Sequence, residues 1–159
     1  MELTEWLEAA ADASQEIATG PLGVTATSWR ECSSETLPDD LCGVYIPLIS
    51  DDLALQFGML ASREVCIGLA RSLLGMSEDE PLGSDEDIFD AVGEVSNLVA
   101  GGVKVRLADR CSVNLGVPLA LQGRVFPASG SRSAQGVVRM GESDVWLVMT
   151  GTPRKPKPH

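Results

Sequence analysis

Glu94 and Asn97 are the residues whose types and spacing could do chemistry. They stand three apart in the segment from Asp85 to Leu107, which reads EDIFDAVGEVSNLVAGGVKVRL after its first Asp. A carboxylate pairs with cations and accepts hydrogen bonds, while a carboxamide both donates and accepts and can therefore hold a water molecule in a fixed direction. On a helix of about 3.6 residues per turn the two side chains fall one turn apart on a single face. Asp90, Gly93, Gly101 and Lys104 share that face and read as a partner-binding surround. Ile88, Val92, Val95, Val99 and Val103 form the opposite stripe, with Ala91 and Leu98 on its flank, and that spacing marks a face turned to a core.

Two readings of this helix stand side by side. Gly93, Asn97, Gly101 and Gly102 together weaken it by ~3 kcal/mol relative to alanine. In the plain reading Gly101-Gly102 ends the helix, Val103, Val105 and Leu107 alternate as a strand, and Glu94 and Asn97 are ordinary solvated residues. In the functional reading Gly93 and Gly101 keep a smooth patch on which another protein's backbone approaches Glu94 and Asn97.

The string Asp90-Ala-Val-Gly-Glu94-Val-Ser-Asn97-Leu-Val-Ala-Gly101-Gly-Val-Lys104 resembles the signature helix of the CheC/CheX/FliY family of chemotaxis phosphatases. Further likeness lies in Gly43-Val-Tyr-Ile-Pro-Leu, in the helix Cys66-Ile-Gly-Leu-Ala-Arg-Ser-Leu-Leu-Gly75 and in Leu115-Gly-Val-Pro118, so that it spans roughly Leu41 to Gly123. The resemblance implies a CheC-like fold and a phosphatase that hydrolyses the aspartyl phosphate of a CheY-like response regulator, in chemotaxis or a related two-component pathway. It also implies roles: Asn97 orients the attacking water, Glu94 pairs with a lysine of the receiver, and the partner receiver brings the Mg²⁺. The protein needs no cofactor or metal of its own, and relatives of the CheX type pair as homodimers. CheC proteins carry a second Glu-x-x-Asn, but here Glu16 is followed three residues on by Thr19, so a single copy is present, as in CheX. The alternative is a non-catalytic CheC-like module that binds a receiver domain or a flagellar switch partner.

The elements that would position the motif follow from periodicity. Thr4 reads as the cap of a first helix carrying Leu3, Leu7, Ala10 and Ile17, which Gly20-Pro21 ends. A first strand starts at Val24, and a polar loop spans Ser33 to Asp40. Val44 to Ile49 and Leu53 to Met59 form a hairpin about Ser50-Asp51-Asp52, with Pro47 pointing to an edge strand. Ser62 caps a second helix whose buried line is Val65, Leu69 and Leu73 and whose C-terminal residue is Gly75. Ser84 and Asp87 resemble a capping box at the start of the motif helix, after the acidic linker of residues 78–87, which lacks the ligand pattern of a calcium loop. Strands are expected over Ser112 to Val117 and Leu119 to Phe126, followed by a flexible loop from Pro127 to Ser133. A hairpin of Gly136 to Met140 and Val145 to Met149 then turns about Gly141-Glu-Ser-Asp. The sum is an α+β domain over residues 1–151, a mostly antiparallel sheet of six or seven strands with three helices on one face, then a disordered basic, Pro-rich tail over 152–159.

Composition narrows the chemistry. The 159 residues include one histidine, His159, inside that tail, so a histidine-dependent triad or a His-ligated metal has no ordered anchor, and Ser96 and Ser112 have no base to activate them. Cys32, Cys42, Cys66 and Cys111 have neither paired spacing nor other ligands nearby and read as reduced, partly buried residues. A formal charge of −11 disfavours nucleic acid, and no apolar run reaches membrane-spanning length. With an acidic start in place of a signal peptide, the expected location is the cytoplasm.

Overall fold

A computed structural model describes residues 1–33, 37–50, 53–123 and 129–153, with the backbone alone for Thr27, Ser28 and Pro153. Ten elements follow in chain order: α1 (Leu3–Thr19), β1 (Ala26–Cys32), β2 (Cys42–Ile49), β3 (Leu53–Ala61), α2 (Arg63–Leu74), α3 (Asp85–Arg106), β4 (Asn114–Leu115), β5 (Leu119–Gln122), β6 (Arg132–Met140) and β7 (Ser143–Pro153). The architecture is α+β, as the periodicity indicates.

The seven strands make one sheet in the order β1-β6-β7-β3-β2-β4, with β5 also on β2, and every pairing is antiparallel. Two tight hairpins set the registers of its centre. Met140 pairs with Ser143 across a two-residue turn in which Gly141 takes a φ of 59°, a conformation that costs glycine little. Ile49 pairs with Ala54 at the other hairpin, whose Asp51 and Asp52 lie outside the described residues.

Pro47 is not on an edge strand, because β2 has β3 on one side and β4 with β5 on the other. It sits where the second side is interrupted: β5 pairs with Cys42 to Tyr45 and β4 with Leu48 and Ile49. The Pro47 carbonyl accepts a hydrogen bond from the Gly116 N–H at 2.8 Å, so the ring nitrogen, on the same side of the strand, faces the break where no donor is needed.

All three helices pack on one face of the sheet, above Val44, Ile46, Leu48, Phe57, Met59, Leu147 and Met149. Trp6, Leu7 and Ala10 of α1 and the five-residue stripe of α3 complete this core. A smaller cluster of Leu41, Tyr45, Leu60 and Val148 lies on the far face, where the Tyr45 ring covers Gly58.

Several boundaries shift, each for a physical reason. Glu2, not Thr4, caps α1, its N–H donating to the Glu5 carboxylate at 2.7 Å and its carbonyl accepting from the Glu5 N–H at 3.1 Å. Ser62 and Gly75 bound α2 as expected, but its buried line is Cys66, Leu69 and Ala70, with Val65 and Leu73 only half-buried. The strand expected to start at Val24 begins at Ala26. The strand expected over residues 112–117 shrinks to Asn114 and Leu115, and β5 stops at Gln122, with Phe126 outside the described residues. Arg132 and Ser133, read as loop, pair with Gly151 and Thr150. Thr152 and Pro153, read as tail, pair with Ala54 and Leu53, and the rest of that tail lies outside the described residues.

Candidate functional site

Helix α3 carries the site, and its first turn explains its placement. The Ser84 hydroxyl accepts from the Asp87 N–H at 3.4 Å while an Asp87 carboxylate oxygen accepts from the Ser84 N–H at 3.0 Å, which satisfies donors that the helix would otherwise leave free. Arg63 pairs with Asp85 and ties this end to α2. The buried stripe is as spaced: Ile88, Val92, Val95, Val99 and Val103 all face the core.

The helix does not stop at Gly101-Gly102, which removes the strand alternative for Val103, Val105 and Leu107. It continues to Arg106, since Val103 is fully buried and Gly102 meets α1 so closely that a Cβ there would lie 2.8 Å from the Ala13 Cβ. Arg106 then pairs with Glu16 of α1. Tertiary contact thus outweighs the poor helix propensity of two adjacent glycines.

Glu94 and Asn97 are exposed and open onto one cleft of about 280 Å³ between α3 and the strand edge. Asp90 and half-buried Phe89 line it from the helix, Val44 from β2, and Pro118 and Ala120 from the opposite wall. That wall is pinned to β2 by β4, β5 and the Gly116 to Pro47 hydrogen bond, and a side chain at Gly116 would strike the Pro47 ring at 2.8 Å. Among the described residues, the side chains of Asp90, Glu94, Asn97 and Lys104 make no hydrogen bond or ion pair within the chain.

The structure separates the six residues of the polar face. Asp90, Gly93, Glu94 and Asn97 come together at the cleft, whereas Gly101 and Lys104 lie outside it. Gly93 is buried and forms the cleft floor, with Pro118 and Val44 each 4.0 Å from where a Cβ would stand, so it does not keep an outer patch smooth. At Gly101 nothing lies within 4 Å of the Cβ position. Sequence reasoning missed Val44, Phe89, Pro118 and Ala120 as lining residues. The break at Pro118 was the available signal, but only the folded sheet edge turns it toward α3.

None of the eight lining residues carries a hydroxyl, thiol or amine, and the nearby Ser96 is fully buried with its hydroxyl bonded to the Val92 carbonyl at 2.8 Å. The cleft therefore offers two carboxylates and a carboxamide with free hydrogen-bonding capacity, suited to orienting groups that another molecule brings. Among the described residues there is also no group of three or more His, Cys, Asp and Glu placed to hold a metal, and no helix is long and apolar enough to cross a membrane.

The family profile described as "Chemotaxis phosphatase CheX" matches residues 46–139, more than half of the chain and all of α3. No curated protein matches. Among solved structures, CheX from Desulfovibrio desulfuricans superposes with a TM-score of 0.74 at 14% identity, covering 91% of this chain and 97% of that one. CheX from Vibrio vulnificus gives 0.73 at 16% identity, with 92% and 99% covered. A CheX–CheY–BeF3–Mg²⁺ complex from Borrelia burgdorferi gives 0.67 at 16% identity, with 92% and 97% covered. At these identities the structural likeness shows a shared fold.

Proposed function

The chain belongs to the CheX family of chemotaxis phosphatases, and from that premise we propose that it hydrolyses the aspartyl phosphate of a CheY-like response regulator. The observation that carries the reading is the pair Glu94 and Asn97, one turn apart, exposed and unpaired in an open cleft whose lining has no hydroxyl, thiol or amine. Such a cleft suits a reaction in which the partner supplies the phosphoryl group and water is the nucleophile. The solved CheX–CheY complex is consistent with a receiver as that partner.

Hydrolysis of an acyl phosphate asks little covalent chemistry of the catalyst, and in-line placement of water is its main demand. The Asn97 carboxamide accepts a hydrogen bond from the water and aims its oxygen at phosphorus. The P–O bond to the receiver's aspartate then breaks, releasing carboxylate and inorganic phosphate. Glu94 takes the receiver's lysine in a charge-assisted contact and so seats α3 against the phosphorylation pocket. The receiver's own Mg²⁺ would offset charge on the phosphoryl oxygens. Pairing of two copies and a cytoplasmic location belong to the same proposal.

Asn97→Ala tests it. The side chain is exposed and unpartnered and alanine is the better helix former, so stability should hold or rise by about 0.5 kcal/mol. Phosphate release from the phosphorylated receiver should fall on the order of 10²-fold, roughly 3 kcal/mol, with affinity little changed. Glu94→Ala should lower both affinity and rate. An Asn97→Ala variant as fast as the parent would remove catalysis from α3 and leave the receiver-binding module.

A further inference from the structure

Asp90 has no role in the reading above, yet its placement is costly unless something meets it. It stands four residues before Glu94, so two carboxylates lie about 5–6 Å apart at the Cβ atoms, a spacing at which like charges destabilise a helix. It lies beyond the first turn, where Asp85, Glu86 and Asp87 already serve the helix N-terminus. Among the described residues no cation offsets it: Arg63 is paired with Asp85, Arg106 with Glu16, and Asp90 itself has no side-chain partner. Asp90 nonetheless lines the cleft beside Glu94 and Asn97, so a molecule seated there desolvates both carboxylates.

We propose that Asp90 is a specificity-determining residue that requires a second cation from the partner, beside the one that Glu94 takes, and thereby selects among phosphorylated receivers. The inference rests on the receiver reading of the cleft. Its physical basis is asymmetric. A receiver with two cations spaced to match the carboxylates gains a charge-assisted contact, whereas one with a single cation leaves Asp90 desolvated and unpaired, and that penalty separates partners more sharply than the contact attracts one. The pinned strand edge opposite holds the cleft open in advance, so the discrimination is not spent on ordering the site.

The test compares the parent, Asp90→Asn and Asp90→Glu on a panel of CheY-like receivers with one or two basic residues around the phosphorylation pocket. KM and kcat are read from phosphate release, affinity from titration of beryllofluoride-loaded receivers, and stability from thermal unfolding. On a two-cation receiver Asp90→Asn should raise KM about tenfold with the effect confined to KM, and it should flatten the salt dependence of kcat/KM. On one-cation receivers KM should fall, so the preference between the two classes collapses, and Asp90→Glu should restore part of it. An unchanged preference, or a lower melting temperature with no change in KM, overturns the inference while leaving the phosphatase reading intact. If the parent binds loaded receivers without releasing phosphate, catalysis fails but the affinity ratios still decide Asp90. A parent that binds none of the receivers refutes both.

Discussion

Gly101 and Gly102 are adjacent in α3, yet Gly→Ala should act on them in opposite directions. Each replacement relieves the cost of a helical glycine, about 1 kcal/mol. At Gly101 nothing lies within 4 Å of the new methyl, so the gain is realised and the melting temperature should rise by about 2–4 °C. At Gly102 the methyl would lie 2.8 Å from the Ala13 Cβ, against an ordinary carbon contact of about 3.5–4.0 Å, so α1 and α3 must part by roughly 1 Å. Ala13 has no rotatable side chain with which to yield. Overpacking of this kind costs about 1–3 kcal/mol, and the methyl also crowds Arg106, whose Nη1 donates to the Gly102 carbonyl at 3.3 Å. The net expectation is a loss of up to about 2 kcal/mol. Equilibrium urea unfolding of both variants and the parent reads the difference, with equal m-values showing that the unfolded states are comparable. A Gly102→Ala protein as stable as Gly101→Ala would refute the close approach of the two helices and the explanation of why α3 continues past its glycines.

Ser84→Ala removes the hydroxyl half of the α3 cap and should cost about 1 kcal/mol in the same denaturation assay, with α3 activity retained once folded. Burial and the adjacent Cys42, whose Sγ is 3.6 Å away, push the Cys66 thiol up to about 12. The unfolded thiol ionises near 9.0, so this contribution to stability is complete below that pH and should be lost progressively as pH rises above it. Cys66→Ala should flatten that decline, and an unchanged slope would assign the alkaline loss to other groups.

The elements legible in the sequence are those whose signal is local. The Ser84 box, the valine stripe of α3, the Ser62 and Gly75 bounds of α2 and the hairpin of β2 with β3 each depend on contacts within a few residues or on a period that a single buried face imposes. Glu94 and Asn97 were legible as a polar pair for the same reason, and the signature around them carried the family. What tertiary structure alone decided involves partners distant in the chain. Whether α3 ends at its glycines depends on Ala13, nearly ninety positions away, because packing against α1 sets the sign of a propensity that by itself favours stopping. Pro47 is tolerated inside the sheet because the neighbouring strand is split there. The cleft exists because Gly116 lets Pro118 and Ala120 fold over toward Gly93, a juxtaposition of two glycines and a proline that no periodicity encodes. Local chemistry therefore fixed which residues carry the polar pair, while long-range packing fixed the cleft onto which they open, since burial is shared between segments that the linear order keeps apart.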